Sequence, residues 1–248
     1  MFFTEEFKQI LKQAKNVFVL TGAGISKESG LDTFRDVDGY WAKYNPMELA
    51  SLEGFFDNPH LVWLWYLERR AKANAASPNA GHLALAELEN LFPLFDLFTQ
   101  NVDRLHHRAG NKNIYELHGN IFENHCLTCG LPYFEDIDIE IAIPHCNSCG
   151  GLIRPSVVWF GEELPADILS LSFTKAQNCD LFLAIGTSAE VYPAAQLPYN
   201  ARNHGAYVVE INPNETSFTK FANISFRESS NIILPEIVKL IKDLKKYD

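Results

Sequence analysis

Four short apolar runs, each ending in small or polar residues, most constrain how this chain can fold. Val17-Phe18-Val19-Leu20 runs into Thr21-Gly22-Ala23-Gly24-Ile25-Ser26, and Leu94-Phe95-Asp96-Leu97-Phe98 into Thr99-Gln100-Asn101-Val102-Asp103. Asp180-Leu181-Phe182-Leu183-Ala184-Ile185 ends in Gly186-Thr187-Ser188, and Ala206-Tyr207-Val208-Val209-Glu210-Ile211 ends in Asn212-Pro213. Continuous apolar runs of this length are strands buried on both faces. Helical spacing fills the intervals: residues 4–14, 46–53, 59–76, the run from Gly81 to Leu88, 165–178, 194–203 and 235–245. Strands alternating with helices predict an α/β fold around a parallel sheet. In such a sheet ligands sit beyond the carboxyl ends of the strands. Four polar tips on one edge therefore point to a nucleotide-sized site, where small residues let backbone N–H groups approach phosphate. The first tip departs from the full dinucleotide fingerprint, because Lys27 stands where a third glycine is required. Taken alone, it is equally a tight strand-to-helix turn.

A short strand, Asn113 to Leu117, delivers His118 and then Gly119. An imidazole titrates near neutrality, so His118 is a candidate proton acceptor. A core histidine would leave the same local pattern. Residues 30–44 form a long aromatic loop, and long loops in compact domains are often lids. Val157-Val158-Trp159-Phe160-Gly161 reads as a short strand or extended loop.

Cys126-x2-Cys129, sixteen intervening residues and Cys146-x2-Cys149 have the spacing of a closed, structural tetrathiolate zinc site. Gly130 and Gly150 follow each pair, where a tight turn brings N–H groups towards thiolates. His125 and His145 are the rival ligands, and Cys179 reads as a small buried hydrophobe. The fifth cysteine makes an odd number, and no secretory signal is evident, which favours metal over disulfides. The net charge is −10 with scattered Lys and Arg, against direct nucleic-acid binding. No run approaches the roughly 18 apolar residues of a membrane span. The expectation is a soluble cytoplasmic protein. Nothing in the sequence sets the oligomeric state, and a monomer is compatible with it.

Together and in order, these motifs resemble the sirtuins, the NAD-dependent protein-lysine deacylases. The resemblance covers residues 15–240 and rests on Gly22-Ala23-Gly24-Ile25-Ser26, Thr33-Phe34-Arg35, Thr99 to Asp103, Leu117-His118-Gly119 and the four cysteines. Arg154-Pro155, Val158-Trp159-Phe160-Gly161-Glu162, Gly186-Thr187-Ser188 and Asn212 complete it. It implies one catalytic domain over residues 1–248, a Rossmann-like large part with an inserted zinc-binding module at about 120–153 and a helical insertion at about 40–78. NAD would be consumed, yielding nicotinamide, 2'-O-acyl-ADP-ribose and free lysine.

By the same resemblance, His118 is the general base towards the ribose hydroxyls and Asn101 holds the ribose and a water. Asp103 meets the nicotinamide carboxamide, and Phe34 and Arg35 contact the cofactor from the mobile loop. Gly22, Ala23, Gly24, Ser26, Gln100, Gly186, Thr187, Ser188, Asn212 and Ser230 complete the implied NAD site. An acyl-lysine peptide would add as a strand between Val158-Phe160-Gly161 and Val191-Tyr192. Tyr66 and Arg69 are i and i+3 on one helix face, and an arginine beside a phenol suits a carboxylate. With Ala50 they resemble the class III subgroup, whose members remove succinyl and malonyl groups, and acetyl removal is expected alongside. The bland reading of the pair is a surface Arg69 near Glu68 and a core Tyr66. The competing activity is NAD-dependent ADP-ribosylation of protein.

Overall fold

The computed structural model describes residues 3–33 and 45–246. Helix α1 (Glu5–Gln13) is capped by Thr4, whose hydroxyl accepts from the Phe7 N–H at 3.2 Å. Strand β1 (Asn16–Thr21) and a 3-10 segment (Ala23–Ser29) follow. Three helices, α2 (Pro46–Leu49), α3 (Leu52–Asp57) and α4 (Pro59–Ala75), precede α5 (Ala80–Glu89). Then come β2 (Leu94–Thr99), α6 (Leu105–Ala109) and β3 (Ile114–Glu116). Strands β4 (Gly119–Cys126) and β5 (Ile153–Val157) flank the cysteine region. The rest is α7 (Ala166–Gln177), β6 (Leu181–Ile185), α8 (Leu197–Asn203), β7 (Tyr207–Ile211), β8 (Ile224–Phe226) and α9 (Ser230–Lys245).

Six strands form one parallel sheet in the order β3-β2-β1-β6-β7-β8. Counted within the sheet this is the doubly wound order 3-2-1-4-5-6, with its switch point between β1 and β6. The fold is thus the expected Rossmann-like α/β sheet. One face buries Phe7, Leu85 and Ile237 from α1, α5 and α9 against Val19, Leu97 and Val209. The other stacks Phe18 between Phe98 and Phe182, each 4.7 Å away, beneath α7 and α8. A third core holds Trp63, Tyr66 and Trp159 with Ile121, Ile153, Cys126 and Cys146, joining α2–α4 to the antiparallel β4–β5 pair.

Two element boundaries differ from expectation. Residues 46–53 are not one helix: Ser51 accepts from the Gly54 N–H at 3.0 Å and so caps α3 afresh. The break releases the Ala50 carbonyl, which accepts from the Phe160 N–H at 2.8 Å. Of the two readings of 157–161 the extended loop holds: the strand is Ile153–Val157, and the following residues are the loop pinned by that Ala50 bond. Helix α9 starts five residues before Pro235, because Ser229 caps it through the Asn231 N–H at 3.2 Å.

Candidate active site

The strand tips on the sheet edge hold one another. Gly22 N–H donates to the Ile185 carbonyl at 3.0 Å, Gly24 N–H to Gly186 at 2.9 Å and Gly186 N–H to Ile211 at 3.0 Å. A Cβ on Gly24 would lie 2.7 Å from the Gly186 Cα, and one on Gly186 2.5 Å from the Ile25 nitrogen. The glycines are therefore required by contact between the β1 and β6 loops. Their own N–H groups donate to carbonyls of the neighbouring strand ends. Gln100 Nε2 donates to Thr187 Oγ1 at 2.9 Å, and Asn212 Nδ2 to the Thr187 carbonyl at 3.0 Å, so all four tips are tied together.

The third and fifth residues of the β2 tip are set by groups buried behind them. Ser26 Oγ donates to Asp103 Oδ2 at 2.7 Å and accepts from Asn101 Nδ2 at 3.1 Å. His82 stands 3.5 Å behind Ser26, and its Nδ1 accepts from the Asn79 N–H, so its Nε2 carries the proton. His106 Nε2 lies 2.9 Å from Thr21 Oγ1, Thr21 is 2.8 Å from Thr99 Oγ1, and Thr99 accepts from the Asn101 N–H at 3.0 Å. Burial raises the Asp103 carboxyl above its usual range, against the Leu105 N–H and Ser26 hydroxyl that favour the anion. Burial likewise holds His82 down at about 4.

His118 follows β3. Its Nδ1 lies 3.1 Å from the Gln100 carbonyl, and its own carbonyl accepts from the Val158 N–H at 2.9 Å. Burial lowers its pKa, opposed by the Gln100 bond. The ring is therefore neutral near pH 7, with Nδ1 as donor and Nε2 as the basic atom.

An open cleft of about 600 Å³ runs between the sheet edge and the third core. Gly22, Ala23, Gly24, Gln100 and Asn101 form one part of its wall, and Gly186, Thr187, Ser188 and Asn212 another. His118 stands in the wall with Val158, Phe160 and Gly161, while Val191 and Tyr192 also line it. Ala50, Tyr66 and Arg69 line it as well. A smaller pocket of about 50 Å³ is lined by Ser26 and Asp103 and shares Ala23, Asn101 and Arg69 with the cleft. Phe34 and Arg35 lie outside the described residues. Ser230 does not line either pocket: it is buried at the start of α9, with its Oγ 3.2 Å from where a Gly81 Cβ would be.

Sequence reading missed Asn214, Glu215, Thr216 and Ser217, which also line the cleft. Extending the polar tip after β7 past Pro213 would have found them. It also missed the partners of Tyr66: the fully buried phenol accepts from Trp159 Nε1 at 2.8 Å, and the Arg69 guanidinium lies 4.5 Å over the Trp65 ring and 5.6 Å from that of Tyr66. Arg69 is thus half-buried and lines the cleft.

The four cysteine sulfurs lie within 4.8 Å of one another, with Cys126 and Cys149 3.5 Å apart and Cys129 and Cys146 3.7 Å apart. A zinc tetrahedron with Zn–S near 2.3 Å needs sulfurs about 3.8 Å apart, so the donor set fits one zinc ion. Each pair closes in the same turn: Gly130 N–H donates to the Cys126 carbonyl at 2.9 Å and Gly150 N–H to Cys146 at 2.8 Å, both glycines at positive φ. His125 and His145 are engaged elsewhere, with Ser156 Oγ at 2.8 Å and the Ile143 carbonyl at 2.9 Å. Four thiolates leave no open position, so the site is structural. Cys179 is buried, its thiol pushed up to about 12 by desolvation.

The model of the Sir2 family matches residues 22–193. The chain belongs to the Sir2 family. It is 48% identical over 229 residues to the NAD-dependent protein deacylase of Aquifex aeolicus, covering 92% of this chain and 96% of that one. A solved mutant of a Sir2 homologue in complex with ADP-ribose superposes with a TM-score of 0.95 at 40% identity, covering 99% of both chains. A Sir2 homologue in complex with NAD superposes with a TM-score of 0.91 at 41% identity, covering 98% of this chain and 95% of that one. The sirtuin fold thus spans nearly the whole sequence, including the cysteine module. Among the described residues no helix is long and apolar enough to cross a membrane.

Proposed function

We propose that this sirtuin is an NAD-dependent protein-lysine deacylase that removes acyl groups ending in a carboxylate, succinyl and malonyl, together with acetyl. One observation carries the reading: a neutral imidazole with its tautomer fixed stands in the same cleft wall as the switch-point loops, and Arg69 and Tyr66 line that cleft. NAD, as co-substrate, supplies an electrophilic ribose carbon and nicotinamide as its leaving group.

The chain's own residues do the rest. Gly22, Ala23 and Gly24 with Gly186, Thr187, Ser188 and Asn212 form the floor for the dinucleotide, and Gln100 braces Thr187 beneath it. Ser26 holds Asn101 and Asp103 side by side at the small pocket, a fit for a ribose hydroxyl and a carboxamide. His118 Nε2 accepts the ribose hydroxyl proton, and bases so placed contribute about 10² to 10⁴-fold. The acyl-lysine backbone pairs between the Val158–Gly161 loop and Val191-Tyr192. The acyl chain carried by the lysine then runs towards Ala50, whose small side chain leaves room at the cleft wall shared with Tyr66 and Arg69. Acyl-lysine proteins are accordingly the partners.

The test is kcat/KM on succinyl-lysine and acetyl-lysine forms of one peptide. Arg69→Met should depress the succinyl reaction selectively, and equal losses on both peptides would reject the acyl assignment.

A further inference from the structure

Tyr66 is 1% exposed, and its side chain still forms part of the cleft wall. Its one hydrogen bond among the described residues is the 2.8 Å bond that its oxygen accepts from Trp159 Nε1. Trp159 is itself held on three sides. Its backbone N–H donates to Glu162 Oε2 at 2.7 Å, the Arg154 guanidinium carbon lies 3.5 Å from the centre of its ring, and Phe55 packs on it at 5.1 Å between centroids. Arg154 is buried, pairs with Glu162 through both terminal nitrogens and donates to the Val157 carbonyl at 2.7 Å. A buried pair of this kind is rarely justified by stability alone. Here it fixes the height and tilt of one indole.

A phenolic O–H lies in the plane of its ring and has two directions to choose from. The indole N–H occupies one, and two donors cannot face each other, so the proton takes the other. Burial keeps the phenol protonated. We propose that Trp159 is a specificity-positioning residue: by donating to Tyr66 it turns the phenol into a donor towards the acyl chain, beside Arg69. The cleft then favours chains ending in a hydrogen-bond acceptor, a carboxylate above all, over chains ending in a methyl group. Sites built to hydrogen-bond a substrate group discriminate strongly against analogues that lack it. The inference rests on the reading of Tyr66 and Arg69 as the residues that meet the acyl end.

The test compares kcat/KM for succinyl-lysine and acetyl-lysine forms of one peptide in wild type, Trp159→Phe, Tyr66→Phe, the double variant and Arg69→Met. Phe keeps an aromatic ring under Arg154 and removes the indole N–H together with part of the buried ring. The succinyl-to-acetyl ratio should fall about tenfold in Trp159→Phe, the scale of one hydrogen bond to a charged group. The double variant should fall no further than Tyr66→Phe, because Trp159 acts through Tyr66. An unchanged ratio in Trp159→Phe while Arg69→Met lowers it, or losses that multiply in the double variant, would overturn the inference and leave the acyl assignment standing. An unchanged ratio in Arg69→Met would remove both. Zinc content and a melting curve report whether Trp159→Phe folds. Should it not fold, wild type supplies the decision: a chain ending in a neutral acceptor, 4-oxopentanoyl, should be removed faster than pentanoyl, and no such preference would contradict a Tyr66 donor.

Discussion

His118 Nδ1 and the Gln100 carbonyl oxygen stand 3.1 Å apart, and since a carbonyl only accepts, this bond fixes which ring nitrogen carries the proton. Nε2 is left as the base. Burial lowers the His118 pKa from its ordinary 6.5, so the neutral form persists as pH falls through that value and is lost only below it. The acidic limb of a kcat/KM profile should have its midpoint below 6.5, and His118→Tyr should cost at least about 10²-fold on every acyl peptide without releasing zinc. A limb centred above 6.5, or substantial turnover in the variant, would contradict the assignment.

Gly24 and Gly186 are bound to each other by backbone contact, with no room for a Cβ at either. Gly24→Ala should therefore cost about 1–3 kcal/mol of stability through overpacking and raise the KM for NAD more than that for peptide. Thermal denaturation and initial-rate kinetics measure both. A KM effect confined to the peptide would show that the β1 and β6 loops do not carry the dinucleotide.

His82 is buried and neutral, with its pKa held at about 4 against about 6.5 in an unfolded chain. The unfolded state thus binds the proton first, so the folded state is favoured fully above 6.5 and loses that contribution as pH falls towards 4. The melting temperature should drop across that window. It should drop less in His82→Gln, which keeps an acceptor at the third helical position of a capping box and cannot be protonated. Parallel melting curves for the two proteins would exclude His82 as the source.

Removing zinc with a chelator should unfold the cysteine module, since Cys126 and Cys146 belong to the same core as Trp159 and Tyr66. Deacylation should be lost with it, although no ligand position is open for catalysis. Full activity in protein shown to be metal-free would refute the structural role.

The sheet was legible because a parallel sheet buried on both faces leaves uninterrupted runs such as Leu181–Ile185. Its four tips were legible because strand ends at a ligand site carry residues that cannot serve the core. The break at Ala50-Ser51 was not: its signal is one serine, and its purpose, a carbonyl free for Phe160, lies 110 residues along the chain. Pro235 was read as a helix start, its commonest place, while the true start depended on the Ser229 cap. The role of Trp159, read only as part of a short strand or extended loop, was hidden because nothing local reveals that its indole N–H meets Tyr66, 93 residues away. The two histidines behind Ser26 and Thr21 were invisible for the same reason.

Whether NAD and acyl-lysine react together in this cleft is decided by mass-spectrometric identification of the products formed from NAD and a succinyl-lysine peptide. Free lysine peptide, nicotinamide and 2'-O-succinyl-ADP-ribose should form in equal amounts. ADP-ribose attached to protein, or NADH with the peptide unchanged, would contradict this reading.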